Sequence, residues 1–117
     1  MRFVCLIAAL LPLPVLADPP VIENVAATHS GGDMWRFDVT LSHGDTGWDD
    51  YADGWRVLDM DGNELGLRVL HHPHVEEQPF TRSLSGVMIP RNIPDVQVQA
   101  RTNTDGWGTE MYLVPLR

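Results

Sequence analysis

Three imidazoles, two carboxylates and two prolines fall within Leu70-His71-His72-Pro73-His74-Val75-Glu76-Glu77-Gln78-Pro79-Phe80, the densest run of coordinating side chains in the chain. In an extended segment His72 and His74 project to the same side, about 6 to 7 Å apart at the backbone. Two imidazoles so placed can share one ion, with His43 or the Glu76 carboxylate as third ligand, and neutral imidazole favours zinc or copper. The candidate metal set is therefore His72, His74, His43 and Glu76, with copper or zinc as the candidate cofactor. A structural role competes with it, because histidines in a Pro-bounded loop also cap strand ends or stand in solvent. His71 shares the parity of Leu65, Leu67 and Val69, which are expected to face inward, and is read as a hydrogen-bonded rim residue.

Other chemistry finds less support. The acidic run Asp45-Thr46-Gly47-Trp48-Asp49-Asp50-Tyr51-Ala52-Asp53 offers oxygens but not the spacing of a calcium loop. Ser83-Leu84-Ser85-Gly86 lacks the first glycine of a nucleophile elbow, and neither His-Glu-x-x-His nor a Gly-rich phosphate loop occurs. Glu76, Glu77 and Asp49 could supply a carboxylate pair, but a domain this small has little cleft for a sugar. The chain is read as a non-enzyme.

Arg2, an apolar run from Phe3 to Leu16 and small residues at Val15 and Ala17 have the form of a secretory signal peptide, residues 1–17, with cleavage expected after Ala17. The run is too short to span a bilayer, so no transmembrane segment is expected in the mature form, and the localisation is read as periplasmic or secreted. Cys5 leaves with the leader, so residues 18–117 must be held by an apolar core rather than by disulfides. Loss of Arg2 leaves seven arginines against sixteen acidic residues. That balance disfavours nucleic acid as a partner through long-range repulsion.

Short alternating segments separated by turn signals recur without a helical period. Trp35, Phe37, Val39 and Leu41 alternate with Arg36, Asp38 and Thr40, and Asp61-Gly62-Asn63 marks a hairpin between Trp55-Arg56-Val57 and Leu65 to Val69. With Val21 to Thr28, Phe80 to Ile89 bulged at Gly86, Val96 to Ala100 and Glu110 to Val114, seven strands are expected. Seven short antiparallel strands in about 100 residues predict an all-β sandwich of the immunoglobulin or fibronectin type III kind. Trp35 in the second strand, and the run from Val96 into the Gly-rich turn, resemble the fibronectin type III pattern. Tyr51 to Val57 and His72 to Val87 are similar to segments of small uncharacterised exported proteins of proteobacteria, a resemblance that implies export and no particular activity.

On such a sandwich the loops at His43 to Asp53, His71 to Pro79 and Asn103 to Thr109 share one end, while His29 falls at the other. The shared end gathers His43, His72 and His74 with acidic residues and with Trp48, Tyr51 and Trp107. Parity also places Arg56, Arg68 and Arg101 on an outward sheet face beside Leu58, Leu70 and Gln99, as a partner surface or as salt-bridged arginines. The expected function is a binding module. It would engage a protein or cell-envelope partner through Trp48, Tyr51, Trp107, Arg56, Arg68 and Arg101, because aromatic and arginine side chains dominate binding hot spots.

Overall fold

Alternation in Met34–Ser42 produces the strand it predicts, with Trp35, Phe37, Val39 and Leu41 buried and the residues between them partly or fully exposed. The computed structural model describes residues 18–117, and the expected signal peptide lies outside the described residues. In chain order the elements are β1 (Val21–Gly31), β2 (Met34–Ser42), β3 (Ala52–Leu58), β4 (Glu64–Val69), β5 (Phe80–Met88), β6 (Asp95–Thr102), β7 (Gly106–Trp107) and β8 (Tyr112–Pro115). They form two antiparallel sheets, one ordered β1-β2-β5 and the other β4-β3-β6-β7, with β8 also paired to β6. The fold is an all-β sandwich.

Between the sheets lie Trp35, Phe37, Val39 and Leu41 from β2, Trp55 and Val57 from β3, and Val96, Val98 and Ala100 from β6. Full burial of a large apolar side chain such as Phe37 stabilises the fold by about 1.5 to 3 kcal/mol. Local signals act as expected at two turns. Gly62 adopts a φ of 89° in the β3–β4 hairpin, where Asp59 Oδ1 accepts the amides of Asp61 and Asn63. Gly86 has a φ of 70° at the point where β5 carries an extra residue against β2.

Two expectations are corrected. The segment expected to be only a turn before the last strand carries a short strand of its own: Trp107 pairs with Arg101, ahead of β8, where Tyr112 pairs with Val98, giving eight strands among the described residues instead of seven. Between them the Gln99 side-chain amide donates to Gly108 O, and the Glu110 side chain leaves the sheet to accept the Ile22 amide of β1. The second correction concerns β4. Arg68 stands opposite buried Trp55, and Leu67 opposite Arg56, so directly paired residues put Gly66, Arg68 and Leu70 inward and Leu67 and Val69 outward. Arg68 is thus absent from the outward arginine row, and its Nε donates to Ser83 O on the other sheet. Leu58 and Leu70, expected beside that row as exposed residues, are each only 2% exposed. Leu58 lies where the β3–β4 ladder shifts register, and Leu70 packs into the core.

Candidate functional site

Because antiparallel neighbours alternate in direction, β2, β4 and β6 finish at the same end of the sandwich, and their loops interlock there. The His43 amide donates to Gln78 Oε1 at 3.0 Å, the His74 amide to Asp45 Oδ2 at 2.8 Å, and the Asn103 side-chain amide to Trp48 O at 2.9 Å. Tyr51 and Asn103 add a reciprocal pair of bonds, from Tyr51 N to Asn103 Oδ1 and from Asn103 N to Tyr51 O. Hydrogen bonds between loops fix their relative placement, so side chains carried by them are held in defined positions.

Asp45 is the hub. Its side chain is fully buried and accepts three N–H groups: His43 Nδ1 at 2.6 Å and the Ala52 amide at 3.0 Å on Oδ1, and the His74 amide on Oδ2. His43, equally buried, has its other ring nitrogen 2.7 Å from the carbonyl oxygen of Asp18. Both ring nitrogens therefore face acceptors, an arrangement that needs the imidazolium form. Burial opposes that charge, but the Asp45 hydrogen bond, the Asp18 carbonyl and the charges of Asp18 and Asp45 outweigh it, and the His43 pKa is raised.

His74 is in the opposite state. Its ring stacks on Phe80 with centroids 3.9 Å apart, and Arg82 donates to its Nε2 at 2.8 Å. A guanidinium has no lone pair to offer, so His74 accepts and is neutral. Burial and, after it, the Arg82 charge lower its pKa. Its Nδ1 is buried without a hydrogen-bond partner.

The four residues of the sequence-derived metal set thus share one end of the molecule without sharing one point. His43 and His74 occupy the two oxygens of Asp45, His74 Nε2 is engaged by Arg82, and His72 and Glu76 are exposed, as is His71. Among the described residues, the coordinating atoms that converge to within 4.8 Å of one another belong to Asp18, His43 and Asp50. A groove of about 360 Å³ bounded by Asp18, Pro19, Ser42, His43 and Gln78 opens beside them. A larger cavity of about 500 Å³ lies at the far end around His29, Trp35 and Arg91, away from this chemistry.

Among the candidate partner residues, Trp48 sits at the tip of a turn closed by bonds from Thr46 N to Asp50 O and from Asp50 N to Gly47 O. It is 64% exposed, with its ring 5.7 Å from Tyr51 and 6.1 Å from His72 in edge-on contacts. Trp107 belongs to a different surface, the outer face of the second sheet, where the Arg56 guanidinium lies 3.8 Å and that of Arg101 5.4 Å from its ring centre. Arg101 is also held by Asp53 at 2.9 and 3.0 Å, and Arg56 by Gln99 and Glu64. Both arginines of that face are engaged within the chain.

Sequence reasoning missed Asp18 and the role of Asp45. Asp45 had a signal, its spacing of two from His43. Asp18 had none, since its contact spans 25 positions.

No family model matches the chain, and no solved structure matches it. A curated protein of the haloarchaeon Halomicrobium mukohataei, described as "Putative lipoprotein", is 38% identical over 93 residues, which are 80% of this chain and 45% of that protein. The chain thus spans less than half the length of this relative, which comes from an archaeon and not from a proteobacterium. No helix among the described residues is long and apolar enough to cross a membrane.

Proposed function

We propose that this protein is a non-enzymatic, exported binding module, periplasmic or secreted, of the immunoglobulin or fibronectin type III kind. It engages a protein or cell-envelope partner through the end where the β2–β3, β4–β5 and β6–β7 connections meet. The observation that carries this reading is Trp48: a large aromatic side chain 64% exposed on a turn braced from Asn103, Thr46 and Asp50. Exposing an indole on a rigid support gives up apolar burial but presents contact area at little further loss of entropy on binding. Tyr51 and His72 flank the indole and extend the same surface. Export is supported by the form of residues 1–17 and by the printed description of the haloarchaeal relative.

The test places a photo-crosslinking amino acid at position 48 and, in a second protein, at Met34 near the far end. Crosslinking in the cell envelope is expected to give a discrete adduct from position 48 alone. Trp48→Ala is expected to weaken capture of that adduct's partner by about tenfold or more, the scale of a hot-spot aromatic. Equal adducts from both positions, or none from position 48, would remove the proposal.

A further inference from the structure

We propose that Asp18, His43 and Asp50 form a binding site for a divalent cation of the zinc class, with Asp45 as the residue that orients His43. The site uses neither the Trp48 side chain nor those of His72 and His74.

Geometry supplies the first argument. Asp18 Oδ2 lies 3.5 Å and Asp50 Oδ1 3.9 Å from His43 Nε2. Ligands at zinc-like distances on a tetrahedron are separated from one another by about 3.3 Å, so the two edges that meet at Nε2 are already near that length, and the three atoms all lie within 4.8 Å of one another. Closing the remaining gap needs side-chain rotation of Asp18 and Asp50, whose side chains are 68% and 33% exposed, with Asp50 Oδ1 leaving the Thr104 hydroxyl that donates to it at 3.3 Å. The Asp18 backbone carbonyl oxygen, 2.7 Å from Nε2, must also move outward.

The outer shell supplies a second, separate argument. A metal-binding histidine commonly donates its other ring N–H to a carboxylate, which fixes the tautomer and the direction of the ligating nitrogen. Asp45 does this for His43 at 2.6 Å, and it is itself held by the Ala52 and His74 amides. Nε2 is thereby held facing the Asp18 carbonyl oxygen, with the Asp18 and Asp50 carboxylates beside it, from a side chain with no solvent exposure.

The charges balance. With no ion bound, the imidazolium occupies the space between the two carboxylates as a built-in cation. When an ion binds, the Nε2–H bond breaks, the proton passes to the solvent and Nε2 forms a bond to the metal. A neutral imidazole and two carboxylates then offset the double positive charge, and water completes the coordination on the exposed Asp18 side. One nitrogen donor among oxygens favours zinc-class ions over calcium and magnesium, which prefer oxygen alone.

The test is calorimetric titration of the purified protein with Zn²⁺ near pH 7.5. Saturable uptake of one ion is expected. Asp18→Asn and Asp50→Asn, which each replace a charged ligand by a neutral one, are each expected to weaken uptake by about tenfold or more. His72→Ala should leave it unchanged, and Ca²⁺ and Mg²⁺ should not compete. Three results would each overturn the site: no uptake at about 100 µM zinc, uptake that both Asn variants retain, or uptake that His72→Ala abolishes. None of these bears on crosslinking at position 48, so this proposal and the partner proposal fail separately.

Discussion

Replacing Asp45 by Asn removes one charge and no volume, and tests whether this buried carboxylate holds the loop end together. Asp45 and His43 have no side-chain exposure, so solvent does not screen their interaction. Three N–H groups converge on the two oxygens of Asp45, from His43, Ala52 and His74. An amide offers one oxygen in place of two, and its NH₂ would face at least one of those donors. Losing a charge-assisted bond removes about 1.5 to 3 kcal/mol, and leaving a buried amide unpaired costs about 1 to 3 kcal/mol. Relaxation of His43 to its neutral form recovers part of this, so a net loss of about 3 kcal/mol is expected, in the range for breaking a buried ion pair. For a domain of about 100 residues that is a fall of roughly 12 to 24 °C in Tm. Urea unfolding by tryptophan fluorescence gives the free energy directly. The control is Asp53→Asn, which breaks the partly exposed pair with Arg101 and should cost no more than about 1 kcal/mol. A loss below about 1 kcal/mol for Asp45→Asn, with an unchanged dependence on urea, would refute the hub role.

Two further perturbations probe the scaffold around the site. At Gly66 a Cβ would meet Leu84 Cδ2 at 2.9 Å and Val87 Cγ2 at 3.2 Å, so Gly66→Ala should destabilise by about 1 kcal/mol despite the entropic gain of about 0.5 to 1 kcal/mol from replacing a strand glycine. A rise in the urea midpoint would show that the sheets are not in close contact there. His74, whose pKa burial and Arg82 lower, contributes stability that is fully present above the unfolded histidine value and is lost as pH falls through the lower folded value. Its imidazole resonances should therefore titrate below the ordinary histidine value, with stability declining over the same acidic window. A midpoint at or above that value would contradict the Arg82 contact.

The loop end is legible in the sequence, because strand count and antiparallel direction suffice to say which connections meet. Trp48, Tyr51, His43 and His74 were all placed there by that reasoning, and the hydrogen bonds among Asp45, Gln78 and Asn103 join those loops. Trp107 was drawn into the same cluster because it follows the β6–β7 turn. It lies instead on the sheet face, since pairing with Arg101 turns its ring under Arg56.

The β4 parity was not legible. Leu65, Leu67 and Val69 form an apolar alternation that implies an inward face, and Leu65 does pack against the core, yet the register shift beside Val57 leaves it as an extra residue and sets Gly66, Arg68 and Leu70 inward, with Leu67 and Val69 outward. Alternation says which residues share a face, but only the partner strand says which face is buried.

What the sequence determined by itself were local matters: the strands, the Asp-Gly hairpin, the glycine bulge in β5 and the end of the sandwich at which the loops gather. These depend on period, turn chemistry and chain direction, all of which are properties of neighbours along the chain. Tertiary structure alone decided that His43 is a buried imidazolium, that His74 is neutral, and that Asp18 rather than His72 stands beside His43. Each of those outcomes is an electrostatic balance among groups far apart in sequence, and such a balance has no sign until distance and burial are fixed.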